Sequence, residues 1–451
     1  MAAAQTSRVP PSTRWASFDG WDYNGMKERL QGLLAKIDKS VLVRHAELIK
    51  GQEVTMSQPF SAGQYWIRFE MIAEDGSLVI ARVRLPRHPD TPPTVSEGDE
   101  LYAIACEVAT MKFVRQNLPA VTIPRVYAYE GPGSQLAADA GAIHMLLEGF
   151  YGNTLQDVEF DMCNLSVGCS SRTYYDPMDK WTKVQAELAT LAYPWIGSIS
   201  SVSKTGEPII DRLATASAEG LRDEGPFSSP AEYFTAVGDA AISKLDLSDA
   251  DLKGSSMSFT RLAAFVFRDI VHNTALFEDS DTDGRFPLNH MDLGTRNILV
   301  DKNFNFLAII DWEFAQTAPW QVNHYPMPFP LLGSEAEIEG ILQDPNHLAH
   351  RNVSRQESAR RMYTRKFRDA EMELRQKGRS LGGSFAKVLD SPASRIYACF
   401  TKLGGLPEAD AGLVYEMVRL AFGLDAKETE RYLHKIEGKA RRSEGCRGQG
   451  K

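Results

Sequence analysis

Residues 288–320 read LNHMDLGTRNILVDKNFNFLAIIDWEFAQTAPW. His290-Met291-Asp292 closes one segment, Asn297 opens the next, and a second acid stands at Asp311. Ile298-Leu299-Val300 and Phe306-Leu307-Ala308-Ile309-Ile310 are apolar runs of strand character, and the polar Asp301-Lys302-Asn303 between them predicts a turn. A hairpin of that size returns its outer ends to one place. Asp292, Asn297 and Asp311 are therefore expected to meet at one edge.

Oxygen-bearing side chains gathered in this way suit a magnesium–phosphate site. Mg²⁺ takes one or two carboxylates and leaves its remaining positions to water and substrate phosphates. Phosphoryl transfer from a nucleotide needs an Asp to receive the proton of the attacking hydroxyl, an Asn on a metal, and a later Asp on the metals between the phosphates. The pattern H-x-D-x-x-x-x-N, a short hairpin, then Asp supplies all three in that order. Each residue alone has a plain reading as a turn cap or strand end. Their combination with the strand–turn–strand spacer is what makes the signal specific.

HMDLGTRNILVD followed by IIDWE resembles the catalytic segment of the aminoglycoside phosphotransferase / choline kinase-like family, a branch of the protein-kinase-like fold. The likeness covers His290, Asp292, Leu293, Asn297, Ile298, Leu299, Val300, Asp301, Ile310, Asp311, Trp312 and Glu313. It departs at Gly294-Thr295-Arg296, where the family often has His-Pro-Gly. Arg296 stays open between a phosphate or substrate contact and a place in solvent. The resemblance implies an α+β, two-lobed protein-kinase-like fold, with a small β-rich N-lobe, a larger mainly helical C-lobe, and ATP and Mg²⁺ in the cleft. It implies Asp292 as the base, Asn297 and Asp311 as metal ligands, and His290 as a support for the catalytic loop. Glu313 is open between a metal and a cationic substrate.

The bulk numbers agree with an enzyme of this size. A chain of 451 residues is long enough for two lobes, and 43% hydrophobic with 24% charged residues is the balance of a soluble globular protein. The five cysteines are scattered with no Cys-x-x-Cys pair, which suggests neither a disulfide framework nor a zinc site and favours a reducing, cytoplasmic setting. No apolar run is long enough to span a bilayer, so no membrane partner is expected. A net charge of −9 argues against nucleic acid and for a small cationic substrate, although ordinary solubilising charge accounts for that number by itself. The oligomeric state is not legible.

Taken in order, 1–57 is expected to hold a Pro/Ser-bearing tail and a helix over 23–42. The N-lobe is expected over 58–149, with strands over 65–72 and 78–85 around the Asp75-Gly76 turn. Gly63, ahead of that hairpin, would let backbone lie close over phosphates. Arg82 and Arg84 share a strand face by the two-residue period. By resemblance Arg82 is placed as the phosphate-gripping cation, with Arg84 the alternative. The helix over 99–117 carries Glu107 beside its apolar stripe, and the resemblance makes it the partner of Arg82. AIHMLLEGFYGNTL resembles the family's hinge, which implies that backbone groups of Glu148 and Phe150 hold the adenine edge.

The C-lobe, 150–433, is expected to hold helices over 178–192, 230–245, 256–276 and 357–377, with further helices over 391–433. A packing role is expected for Trp195-Ile196-Gly197. A basic tail over 434–451 is expected to fray. Trp312-Glu313 after Asp311, in place of Phe-Gly, favours a small-molecule acceptor over a protein. The alternative is a kinase-like nucleotide-binding scaffold with weak or no turnover.

Overall fold

The computed structural model describes residue 10 and residues 25–157, 177–245, 258–278, 283–322, 335–388, 391–405 and 409–447. The stretch 166–175 and most of the Pro/aromatic segment after Trp320 lie outside these. The chain is mixed α/β and forms two compact units. Of the described residues, the first takes those up to 157 with 200–208 and 293–313, and the second takes the rest.

The first unit opens with two helices, α1 (Met26–Leu34) and α2 (Lys39–Lys50), where one continuous helix is expected. Asp38 makes the break. Its backbone is extended and its carboxylate accepts from the Ser40 N–H at 2.9 Å, so it caps α2 rather than continuing α1. Strands β1 (Val54–Ala62), β2 (Trp66–Ala73), β3 (Leu78–Arg84), β4 (Val126–Glu130) and β5 (His144–Glu148) then build one antiparallel sheet in the order β1-β2-β3-β5-β4. The sheet thus begins at Val54, ahead of the expected boundary at Gln58. Pro59 sits in β1 with a register shift on either side, which an edge strand tolerates because Pro has no N–H to donate.

Alternation sorts the side chains of this sheet. Ile67, Phe69, Met71, Val79, Ala81 and Val83 pack with Met26, Leu30, Val41, Leu42 and Ala46 of the two N-terminal helices. The opposite face carries Arg68, Glu70, Arg82 and Arg84. Helix α3 (Glu97–Asn117) starts at a capping box in which Ser96 and Asp99 satisfy each other's backbone N–H.

The short strand β6 (Asn153–Thr154) pairs with β7 (Ile298–Val300), and β7 with β8 (Phe306–Ile309), so the expected hairpin forms. Asp301 builds its turn. One carboxylate oxygen accepts the N–H groups of Asn303 at 2.8 Å and Asn305 at 2.9 Å. Gly152 allows the close approach, since a Cβ there would lie 2.6 Å from the Val300 carbonyl oxygen.

In the second unit the strand Phe286–Asn289 lies between Gln316–Thr317 and Ala192–Tyr193, antiparallel to both. Around it stand helices Pro177–Ala189, Pro230–Ser243, Phe259–Asn273, His350–Gln376, Pro392–Phe400, Asp410–Phe422 and Ala426–Arg447. Their core is aromatic: the Phe267 and Phe400 rings stack 4.0 Å apart and Phe234 meets Phe277 at 4.5 Å. In place of a fraying tail from 434, helix Ala426–Arg447 runs through Ile436 and Ala440, both buried in that core, and Lys439 pairs with Asp269 at 3.2 Å. Ile196 is buried in the same core, and the Gly197 N–H donates to Thr317 Oγ1 at 3.0 Å, in keeping with the packing role expected there. Among the described residues no helix is long and apolar enough to cross a membrane.

Candidate active site

Arg82 projects from β3 and meets Glu107 of α3, Nη1 to Oε1, at 2.6 Å. The two are 4% and 1% exposed, so this ion pair is buried and each charge depends on the other. Arg82 Nη2 lies 3.5 Å from Asp311 Oδ1, and the Trp66 ring covers the guanidinium with its centroid 4.8 Å away. Burial works against the Arg82 charge. Glu107 first, then Asp311 and Glu313, outweigh it and raise its pKa.

The hairpin sets Asn297 and Asp311. Asn297 ends a single turn of 3₁₀ helix (Thr295–Asn297), is buried, and accepts from the Ile310 N–H at 2.9 Å through its backbone carbonyl. That bond closes the open end of the hairpin, with Asn297 on one side and Asp311 beyond the other. Trp312, fully buried, donates its indole N–H to the Ile309 carbonyl at 2.9 Å and anchors the chain just past Asp311. Asp311 itself has φ +66°, a left-handed backbone that Asp adopts more readily than most residues.

Glu313 lies in the same acid-rich corner. Burial first, then the Asp311 and Glu107 carboxylates, push its pKa up to about 8 against the pull of Arg82 and Arg68. Arg84 is drawn elsewhere, 3.0 Å from Glu100 and stacked over Tyr65 at 4.8 Å. Of the two strand arginines, Arg82 is thus the one beside Asp311. Gly63 closes the β1–β2 turn, its N–H donating to the Trp66 carbonyl at 2.8 Å.

At the expected hinge the Glu148 N–H is committed to the Arg125 carbonyl at 2.8 Å. The Glu148 carboxylate accepts from the Arg125 N–H at 3.0 Å and from Arg115 at 2.9 Å, so this side chain braces the end of β5 against α3. The Phe150 carbonyl accepts from the Gly152 N–H at 3.0 Å. The Glu148 N–H and the Phe150 carbonyl thus both have partners within this segment and the strand beside it.

His290 and Asp292 belong to the second unit, where they follow the strand Phe286–Asn289. His290 is fully buried, and the Asp292 N–H donates to its carbonyl at 2.8 Å. Met291 between them has φ +63°, rare for an unbranched apolar residue. Arg296 is exposed. Trp66 and Arg68 are the residues that sequence reasoning missed. The two-residue period orders side chains within a strand only, and it is the β2–β3 register that places Arg68 opposite Arg82.

No family model matches the chain, and no curated protein matches it. Solved structures do. A thermostable mutant of aminoglycoside phosphotransferase APH(4)-Ia is 13% identical, with 84% of this chain and 98% of that one covered and a TM-score of 0.39. The macrolide 2'-phosphotransferase MphH of Brachybacterium faecium is 17% identical, covering 83% and 97%, with a TM-score of 0.36. The choline kinase LicA of Streptococcus pneumoniae is 12% identical, covering 90% and 100%, with a TM-score of 0.35.

Proposed function

We propose that this protein is an ATP-dependent phosphotransferase that moves the γ-phosphate of ATP to a hydroxyl of a small molecule. The observation that carries the reading is the buried Arg82–Glu107 pair set 3.5 Å from Asp311. A cation held in place by an acid, beside a second acid of unusual backbone, is an arrangement that phosphoryl transfer uses and a bare structural ion pair does not need.

The donor set fits magnesium. Asp311, Glu313 and the Asn297 amide are oxygen donors of the hard kind that magnesium takes. Among the described residues no three His, Cys, Asp or Glu side chains form a ready metal cage. Mg²⁺ asks for fewer, because phosphates and water complete its shell. Asn297 and Asp311 would hold it, and it would supply positive charge against that of the phosphates.

In this reading Asp292 receives the proton of the acceptor hydroxyl, and buried His290 fixes the loop that carries it. Arg82, kept from swinging by Glu107 and Trp66, presents fixed positive charge to the phosphates. Backbone groups of the Glu148–Phe150 segment hold the adenine. The acceptor is a small molecule, and the surplus of negative charge favours one that carries an amine.

The test is to incubate the protein with Mg·ATP and a panel of hydroxylated amines, sugars and amino acids and to follow ADP, with Asp292→Ala as the blank. ADP above the blank is expected with at least one acceptor, and chelating the magnesium should abolish it. Nucleotide binding with no ADP above the blank for any acceptor would favour a scaffold without turnover.

A further inference from the structure

Three arginines share the polar face of the first unit's sheet, and two are already engaged. Arg84 is held by Glu100 and Tyr65, and Arg82 by Glu107, Asp311 and Trp66. Arg68 is different. It lies directly across from Arg82 in the β2–β3 register and across from Ser61 in the β1–β2 register. Its Nη1 donates to Ser61 Oγ at a long 3.5 Å, and among the described residues no carboxylate lies within ion-pair distance of it.

Like charges directly opposite each other weaken a sheet. Here burial, and then the neighbouring Arg82, push the Arg68 pKa down, while the more distant Asp311, Glu313 and Glu107 pull it up by less. An anion seated against both guanidiniums converts that repulsion into attraction. Planar forks of N–H donors are well matched to phosphate oxygens, more so than a lysine ammonium. The β1–β2 turn lies alongside: a Cβ on Gly63 would stand 3.7 Å from Arg68 Nη1, ordinary contact distance, so the guanidinium sits beside the turn backbone.

We infer that Arg68 is a second phosphate-binding cation, contacting the polyphosphate directly while Arg82 is fixed by its acids. This deepens the nucleotide-dependent reading above and rests on it. Arg82 is then chiefly a positioning residue that also sets the charge of the site, and Arg68 is the side chain with donors left to give.

Titration calorimetry of the full chain, wild type against Arg68→Gln and Arg68→Lys, tests this with ATP, ADP and AMP in magnesium buffer. Arg68→Gln should weaken ATP and ADP by about tenfold or more, the scale of a charge-assisted hydrogen bond, and AMP by less. Arg68→Lys should recover part of the loss, because it returns the charge without the fork. Thermal unfolding without nucleotide should show Arg68→Gln no less stable than wild type, since a repulsion has been removed. Equal loss for all three nucleotides, no loss for any, or a lowered melting temperature would overturn the inference. A wild type that binds neither ATP nor ADP would bring down the phosphotransferase reading itself.

Discussion

Replacing Asp311 by asparagine should lower the rate of ADP formation by about a thousandfold or more, with little change in thermal stability. The substitution is chosen for its shape. Asn keeps the size of Asp and tolerates the left-handed backbone at φ +66°, so only the charge is removed. The fold has little reason to respond. Glu107 still holds Arg82 at 2.6 Å, the lost contact was the longer one at 3.5 Å, and Glu313 loses a carboxylate that was raising its pKa. Catalysis has every reason to respond, because the charge of a transferring phosphoryl group must be met by fixed opposite charge at the moment of transfer. Steady-state ADP release and a circular-dichroism melt measured on the same preparation separate the two. Activity within tenfold of wild type would remove Asp311 from the site.

The second large effect is on stability. Glu107→Ala should destabilise the chain by about 3–5 kcal/mol, the cost of leaving a buried charge without its partner. Arg82 is 4% exposed, and its Nε has no acceptor among the described residues, so there is no solvent to take over from Glu107. Arg82→Met alone strands Glu107 in the same way. The double variant Arg82→Met/Glu107→Leu replaces both charges with apolar volume and should recover most of the loss, while giving up nucleotide binding. Urea unfolding of the four chains compares their stabilities. A loss below about 1 kcal/mol in Glu107→Ala would mean that the pair is not buried as described.

Much of this site is legible in the sequence because the hairpin is specified locally. Apolar triplets, the Asp301 turn and the flanking Asn297 and Asp311 all lie within one short stretch, so no distant register has to be guessed. Helix α3 is legible for the same reason. Its stripe and its Ser96-x-x-Asp99 cap are local, and Glu107 falls beside the stripe. What escapes is set by long-range pairing. Arg68 becomes Arg82's neighbour only through the β2–β3 register. Glu148 reads as a hinge residue, but its N–H is taken by Arg125 and its carboxylate by Arg115, both decided by how β4 and α3 pack. The break at Asp38 is outvoted by a helical apolar period that continues across it. The C-terminal basic segment reads as a tail because its charges dominate the composition, whereas Ile436 and Ala440 decide its packing.

The claim beneath all of this is that the hairpin-borne acid and amide seat a divalent ion against a nucleotide. The most direct measurement follows free Mn²⁺, as a spectroscopic substitute for Mg²⁺, by electron paramagnetic resonance while ATP is added to wild type and to Asp311→Asn. Wild type should take up metal only together with nucleotide, and Asp311→Asn should not. Equal metal uptake by the two proteins would contradict the account.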